Sequence, residues 1–271
     1  MNDLRSILWN AQRFALLPPK LCRRLTNRSQ SRILVVSLPK AGTHLLERAL
    51  LLHSPLYRAL LPTLNEENLE NHGGFPKILA RLRPGQVLVS HLPYKPEWHE
   101  AIRQAGVKTV LIKRDPRDII VSNMFYTKKR TDHRLHRAMM EQRTDRDRLR
   151  LLIEGNSVLA IRGIGEVLTR FSGWLDAAEV VTGYEELIGP KGGGDRQTQV
   201  TLIREMFGGL GLSLREEAIS RTAEGLFSSA SPTYRKGLIG QWKEHLDDDL
   251  LGDFEQIAGD LTRRYGYPLH N

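Results

Sequence analysis

Arg32-Ile33-Leu34-Val35-Val36-Ser37-Leu38-Pro39-Lys40-Ala41-Gly42-Thr43-His44 is the stretch that decides the fold. Ile33 to Val36 is an unbroken apolar run with no polar alternation, the pattern of a short strand buried on both faces of a parallel sheet. Leu38-Pro39 ends the strand. From Thr43 the chain continues as His44-Leu45-Leu46-Glu47-Arg48-Ala49-Leu50-Leu51-Leu52, which reads as a helix with one apolar face. A strand, a tight polar loop and a helix together form the opening of a βαβ unit.

Similar runs recur downstream. Gln86 to Ser90, Lys108 to Ile112 and Glu179 to Thr182 read as further strands, and a helix is expected from about Pro116. Helical patterns dominate from Asp145 to Trp174 and from Thr198 to Leu226, and Gly189 to Gly194 is a glycine-rich loop. Strands alternating with helices predict an α/β fold: a single three-layer, P-loop-like domain with a central parallel sheet flanked by helices. Residues 1–30 read as a separate basic amphipathic arm before a domain spanning 31–271. In that arm Leu4, Ile7, Leu8 and Trp9 fall at roughly helical spacing and Pro18-Pro19 stops the pattern.

Composition narrows the classes. The 271 residues are 40% hydrophobic and 26% charged, ordinary for a globular protein and unlike a disordered, collagen-like or rod-forming chain. The single cysteine, Cys22, excludes an internal disulfide framework and a cysteine-based zinc finger. No apolar run approaches the roughly 18 residues that span a bilayer, and the start lacks a secretory pattern, so a cytoplasmic location, or one peripheral to a membrane through the arm, is expected. The formal net charge of +9 is unevenly placed: residues 1–32 and residues 113–150 each carry an excess of six positive charges. An anionic partner is the natural complement.

In parallel α/β sheets ligands bind at the carboxyl ends of the strands, and three of four polar constellations fall there. In Ser37 to His44, Gly42 lets backbone approach a ligand, the amides at the helix start favour an anion, Lys40 adds a positive charge and Thr43 can cap the helix or meet an oxyanion. The loop is not a Walker A sequence, because the lysine precedes the glycine. It also reads as an ordinary capped βα loop. In Lys113-Arg114-Asp115-Pro116-Arg117-Asp118 through Ser122, the Arg114 fork would stand at a strand end and suits phosphate, although a surface Arg–Asp network reads the same way. His91, in Ser90-His91-Leu92-Pro93, sits just past a buried strand, where an imidazole could act as general base or be merely structural. Tyr234-Arg235-Lys236-Gly237 through Gly240-Gln241-Trp242-Lys243 offers two cations beside two glycines, an anion clasp in form.

Taken in order, these segments resemble the family of sulfotransferases that use 3′-phosphoadenylyl sulfate. Pro39-Lys40-Ala41-Gly42-Thr43 resembles the family's P-K-[SA]-G-T loop for the 5′-phosphosulfate, with His44 following. Arg114-Asp115-Pro116-Arg117-Asp118 with Ser122 resembles R-[ND]-P-R-D-x-x-x-S, which implies that Arg114 and Ser122 hold the 3′-phosphate. Arg235-Lys236-Gly237 through Lys243 resembles R-K-G-x-x-G-[DN]-W-K, and Tyr184-Glu185-Glu186-Leu187 resembles Y-E-[DE]-L, whose Tyr lies against adenine. His91 resembles the family's catalytic base. The sequence departs at Leu45, where the family often has a stacking Trp, at Val89, where many cytosolic members have Lys, and at Gln241, where an acid is usual.

The resemblance implies in-line transfer of a sulfuryl group to an acceptor hydroxyl, with His91 taking the proton and Lys40 stabilising the leaving phosphate, and without a metal. It implies that Lys40, Ala41, Gly42, Thr43, His44, Arg114, Ser122, Tyr184, Arg235, Lys236 and Gly237 bind the nucleotide. The acceptor would be a small molecule, a saccharide or a lipid-linked hydroxyl, not a nucleic acid. Two other classes share parts of the pattern. A P-loop kinase would need ATP and magnesium, and a non-catalytic binder of anionic partners would need only the basic stretches.

Overall fold

A computed structural model describes residues 31–52, 54–227 and 237–269. The N-terminal arm and the residues Tyr234, Arg235 and Lys236 lie outside the described residues. The strands are β1 (Ile33–Ser37), β2 (Tyr57–Arg58), β3 (Gln86–Ser90), β4 (Lys108–Lys113), β5 (Gly155–Asn156), β6 (Ile161–Arg162) and β7 (Val180–Gly183). The helices that matter below are α1 (Thr43–Leu51), α2 (Phe75–Arg81), α3 (Pro96–Gln104), α4 (Pro116–Lys129), α5 (His136–Glu141), α6 (Asp145–Glu154), α7 (Ile164–Ser172), α8 (Trp174–Ala177), α9 (Tyr184–Leu187), α10 (Arg196–Gly209), α11 (Glu216–Gly225) and α12 (Asp248–Arg264).

The main sheet is parallel throughout, in the order β2-β3-β1-β4-β7. The strands have a two-residue period even though both faces are buried. Ile33, Val35, Val87, Val89, Val110 and Ile112 point into one core, closed by α1, α9, α10 and α11. Leu34, Val36, Leu88 and Leu111 point into the other, closed by α2, α4, α6, α7 and α12. This is the three-layer α/β architecture expected from the sequence.

Three elements differ from the sequence reading. β2 is a two-residue edge strand, too short for a hydrophobic pattern to register. The helical stretch after Asp145 is interrupted by an antiparallel β5–β6 hairpin, with Gly155 in the positive-φ region (φ 80°) closing α6. The C-terminal helix α12 is amphipathic, seating Leu250, Phe254, Ala258 and Thr262 in the core, and carries Asp247 as its cap.

The register is what brings function-bearing residues together. Val36 pairs with Ser90 and Ser37 with Ile112, so Ser37, His91 and Lys113 end on one edge. β1 lies between β3, reached by one crossover, and β4, reached by the next, which makes its carboxyl end the switch point where such sheets open a crevice. No helix among the described residues is long and apolar enough to cross a membrane.

Candidate active site

A single cavity of about 1060 Å³ opens over that edge and is lined by Lys40, Gly42, Thr43, His44, His91, Arg114, Ser122, Tyr184 and Gly237. Nine of the residues singled out in the sequence therefore face one space. Ala41, within the loop itself, is buried. Arg235 and Lys236 lie outside the described residues.

The loop after β1 is built on two left-handed residues. Lys40 has φ 71° and Gly42 φ 109°. For an L residue such as Lys40 this conformation costs about 1–2 kcal/mol, and strain of that kind collects at functional sites. Gly42 is required twice over, because a Cβ there would also lie 2.6 Å from Tyr184 Cδ2. Gly42→Ala is expected to lower stability by about 1–3 kcal/mol through overpacking and to push the Tyr184 ring out of place. Chemical denaturation would measure this, and an unchanged midpoint would contradict it.

Thr43 does not cap α1, contrary to one of its two sequence readings. The cap position is Gly42, with no side-chain bond. The Thr43 hydroxyl instead pairs with Ser37 Oγ at 2.7 Å, across the base of the loop.

His91 Nδ1 lies 2.8 Å from the Ser37 carbonyl oxygen. A carbonyl only accepts, so Nδ1 carries the proton and Nε2 is left with its lone pair. Burial pushes the imidazole down to about 4, opposed by that backbone hydrogen bond and reinforced by the charges of His44 and Lys40. The ring is therefore neutral at physiological pH, with a fixed tautomer. The shift from the ordinary value of 6.5 has no signal in the sequence.

Lys40 is pushed down to about 7, by burial first and then by Arg114 and Arg130. Its ammonium rests over the Tyr126 ring, 3.9 Å from the centroid. Arg114 is 8% exposed and its guanidinium lies 4.2 Å above the Tyr184 ring. Its hydrogen bonds to Leu238 O at 3.1 Å and to Lys40 O and Asp118 Oδ2, both at 3.4 Å, are long, and its Nε has no partner. A buried guanidinium with unused donors facing a cavity is suited to an oxyanion.

The sequence did not single out Asp118 as more than a motif member, yet it joins two motifs. One carboxylate oxygen accepts from Gly240 N and the other from Trp242 N, each at 2.9 Å. Burial pushes this carboxyl up, and Arg114 and the two amides pull it back. Arg117 completes the tie, with its guanidinium 3.9 Å from the Trp242 ring centre and bonded to Asp115 and to the carbonyls of Pro268 and Leu269. Asp115 also caps α4, one residue before Pro116. The glycine loop at 189–194 supports the same region from below: Ile239 N bonds Gly192 O, and a Cβ on Gly192 would meet Gly237 O at 2.8 Å. No signal in the local sequence marks the contacts to residues 237–269, because those partners lie more than 40 residues away.

Tyr126 lines the cavity. Phe75, Leu92, Phe125 and Tyr94 pack in or against the core. Leu45 lines the cavity, as do Leu226 and Phe227, while Val89 is buried in the sheet. The remaining wall comes from residues 63–67, the segment 130–135, β6, α6 and α7, and it mixes Leu152, Val167 and Phe171 with Arg130, Arg162 and Arg170. No cluster of three or more potential metal ligands occurs among the described residues.

Residues 30–159 match the family model described as "Sulfotransferase domain". A search of curated proteins finds no match. Among solved structures, a mouse sulfotransferase, SULT7A1, complexed with PAP aligns with a TM-score of 0.63 at 17% identity, over 86% of this chain and 84% of that one. Retinol dehydratase in complex with androsterone and inactive cofactor PAP aligns with a TM-score of 0.56 at 17% identity, over 86% and 81% of the two chains. The same enzyme in a complex with retinol and PAP gives 0.54 at 17% identity, with the same coverage. The chain thus resembles the sulfotransferases in its first half by sequence and has their fold over most of its length.

Proposed function

We propose that the chain is a sulfotransferase that moves a sulfuryl group from 3′-phosphoadenylyl sulfate to an acceptor hydroxyl. The observation that carries this reading is the placement of a neutral, tautomer-fixed imidazole and a half-buried lysine on adjacent strand ends of one cavity, with an under-bonded arginine in the same wall. Nε2 of His91 takes the acceptor's proton as the acceptor oxygen bonds to sulfur. The bond from sulfur to the 5′-phosphate oxygen breaks, its electron pair stays on that oxygen, and Lys40 meets the charge. The products are a sulfate ester and adenosine 3′,5′-bisphosphate. By analogy with phosphoryl transfer, positioning and electrostatics carry most of the catalysis.

Arg114 and Ser122 are assigned to the 3′-phosphate, the amides of Ala41 to His44 to the 5′-phosphate and Tyr184 to the nucleotide's base end. Leu226 and Phe227 supply apolar wall that the Leu45 side chain alone cannot. Arg235, Lys236 and Gly237 belong to this role by motif. The acceptor is assigned the rest of the cavity, and its mixed lining accommodates a small molecule, a saccharide or a lipid-linked hydroxyl.

Calorimetry tests the donor site. Adenosine 3′,5′-bisphosphate is expected to bind without magnesium and more tightly than ADP or ATP. An anion beside Lys40 raises its pKa, so the complex holds a proton that the free protein sheds above pH 7. Affinity is therefore expected to weaken between pH 7 and pH 9, by up to about tenfold per unit, with net proton uptake on binding. A preference for ATP with magnesium would reject the reading in favour of a kinase, and a pH-independent affinity would reject the role of Lys40.

A further inference from the structure

The geometry points to Tyr126 as the residue that positions the Lys40 ammonium for the proposed reaction, through the face of its ring. The inference rests on the sulfuryl-transfer reading for its catalytic meaning, but the contact itself is independent of it.

Lys40 is surrounded by charge of its own sign. Arg114 approaches from the end of β4 and Arg130 from the segment after α4, while the imidazoles of His91 and His133, both pushed down by burial, bring no negative charge to offset them. What meets the ammonium is the Tyr126 ring, 3.9 Å from centroid to Nζ. Tyr126 lies one turn beyond Ser122 on α4, so helix geometry turns both into the cavity. The ring is held in turn by its own neighbours: His133 packs edge-on at 5.6 Å, and the Arg130 guanidinium lies 5.7 Å from the centroid.

An aromatic face suits this position better than a carboxylate would. The ring quadrupole attracts a cation without adding a formal negative charge. A carboxylate at the same place would neutralise Lys40 and repel the phosphosulfate that Lys40 is meant to meet. The ring favours the charged form of the amine and aims it while leaving the cavity positive. Tyr126 is a positioning residue in this scheme, and its hydroxyl is not required.

The test separates the ring's charge distribution from its shape. Tyr126→Phe keeps the face, whereas replacing Tyr126 by 3,4,5-trifluorophenylalanine keeps nearly the same outline and weakens the negative face. Lys40 titration is followed in the nucleotide-free protein by competitive acetylation with acetic anhydride across pH, read by peptide mass spectrometry. Bisphosphate binding and sulfuryl-transfer rates are measured on the same variants. Tyr126→Phe is expected to match the wild type within about twofold. The trifluoro variant is expected to shift the Lys40 midpoint down by about one pH unit and to lower turnover about tenfold, the range of a desolvated cation–π contact, with the donor KM raised severalfold near pH 7, where the free amine is then mostly uncharged.

An unmoved Lys40 midpoint in the trifluoro variant, or an equal loss in Tyr126→Phe, overturns the proposal. A wild-type protein that binds no bisphosphate overturns the sulfotransferase reading instead, and the Lys40 midpoint still decides the contact. Tyr126→Leu, which removes the ring entirely, gives a second comparison and is expected to shift the midpoint at least as far.

Discussion

His91→Ala is expected to lower turnover by about 10²- to 10⁴-fold, the usual cost of losing a positioned general base, while adenosine 3′,5′-bisphosphate still binds within about twofold of the wild-type affinity. The separation follows from the site's layout. His91 hangs from the Ser37 carbonyl at the end of β1, on the opposite side of that strand from β4 and the arginine that follows it. Removing the ring deletes the proposed proton acceptor and leaves Arg114, Ser122 and the loop amides in place. The pH profile carries a second signature. In the free protein the imidazole is held down to about 4, and the cationic Lys40 contributes to that. A bound anionic donor offsets the same charge and raises the imidazole toward neutrality, which brings its basicity closer to what transfer at pH 7 needs. The acid limb of turnover should therefore lie above pH 4, and it should vanish with the ring. A His91→Ala protein with wild-type turnover would remove His91 from the chemistry.

Arg114→Ala carries the second large effect. Truncating one partner of a buried, charge-assisted contact costs about 2–5 kcal/mol, so affinity for the bisphosphate should fall by roughly 30-fold to several thousandfold. Binding of AMP, which lacks the 3′-phosphate, should change little. Arg114→Lys should recover only part of the loss, because an ammonium cannot reproduce the planar fork. The comparison needs a control for Asp118, which loses one of its three partners when the guanidinium is removed. A thermal melt on the same sample serves that purpose. Equal losses for the bisphosphate and AMP would assign Arg114 to general electrostatics rather than to the 3′-phosphate.

The site was unevenly legible in the sequence. The β1 strand and the Lys40–Gly42 loop could be read because an apolar run ending in Pro-Lys-Ala-Gly is a local signal. His91 could be placed because it follows a strand, but its tautomer could not. That depends on the pairing of Val36 with Ser90, which sets the ring beside the Ser37 carbonyl. Asp118 lies inside a quoted motif, yet its role stayed hidden because its backbone partners come more than 120 residues later. Nothing in the local sequence marks Tyr126 as part of the site. Its actual neighbour is a lysine 86 residues earlier, a contact that no periodicity encodes. Among the elements, the two-residue β2 and the β5–β6 hairpin were missed because neither is long enough to show a pattern. The α12 helix does carry an apolar stripe, with Leu250, Phe254 and Ala258 at four-residue spacing, and was left unassigned.

The Asp118 tie has a consequence for how the protein is made. Synthesis proceeds from the N-terminus at about 5–20 residues per second, so β1 to β4 leave the ribosome well before Gly240 and Trp242 do. Until those two amides arrive, Asp118 has only Arg114 to answer its charge, and the Arg117 guanidinium lacks the Trp242 ring beneath it. A nascent chain can therefore pair its central strands early, yet it completes the Arg114 wall of the cavity only when its last quarter folds back onto α4.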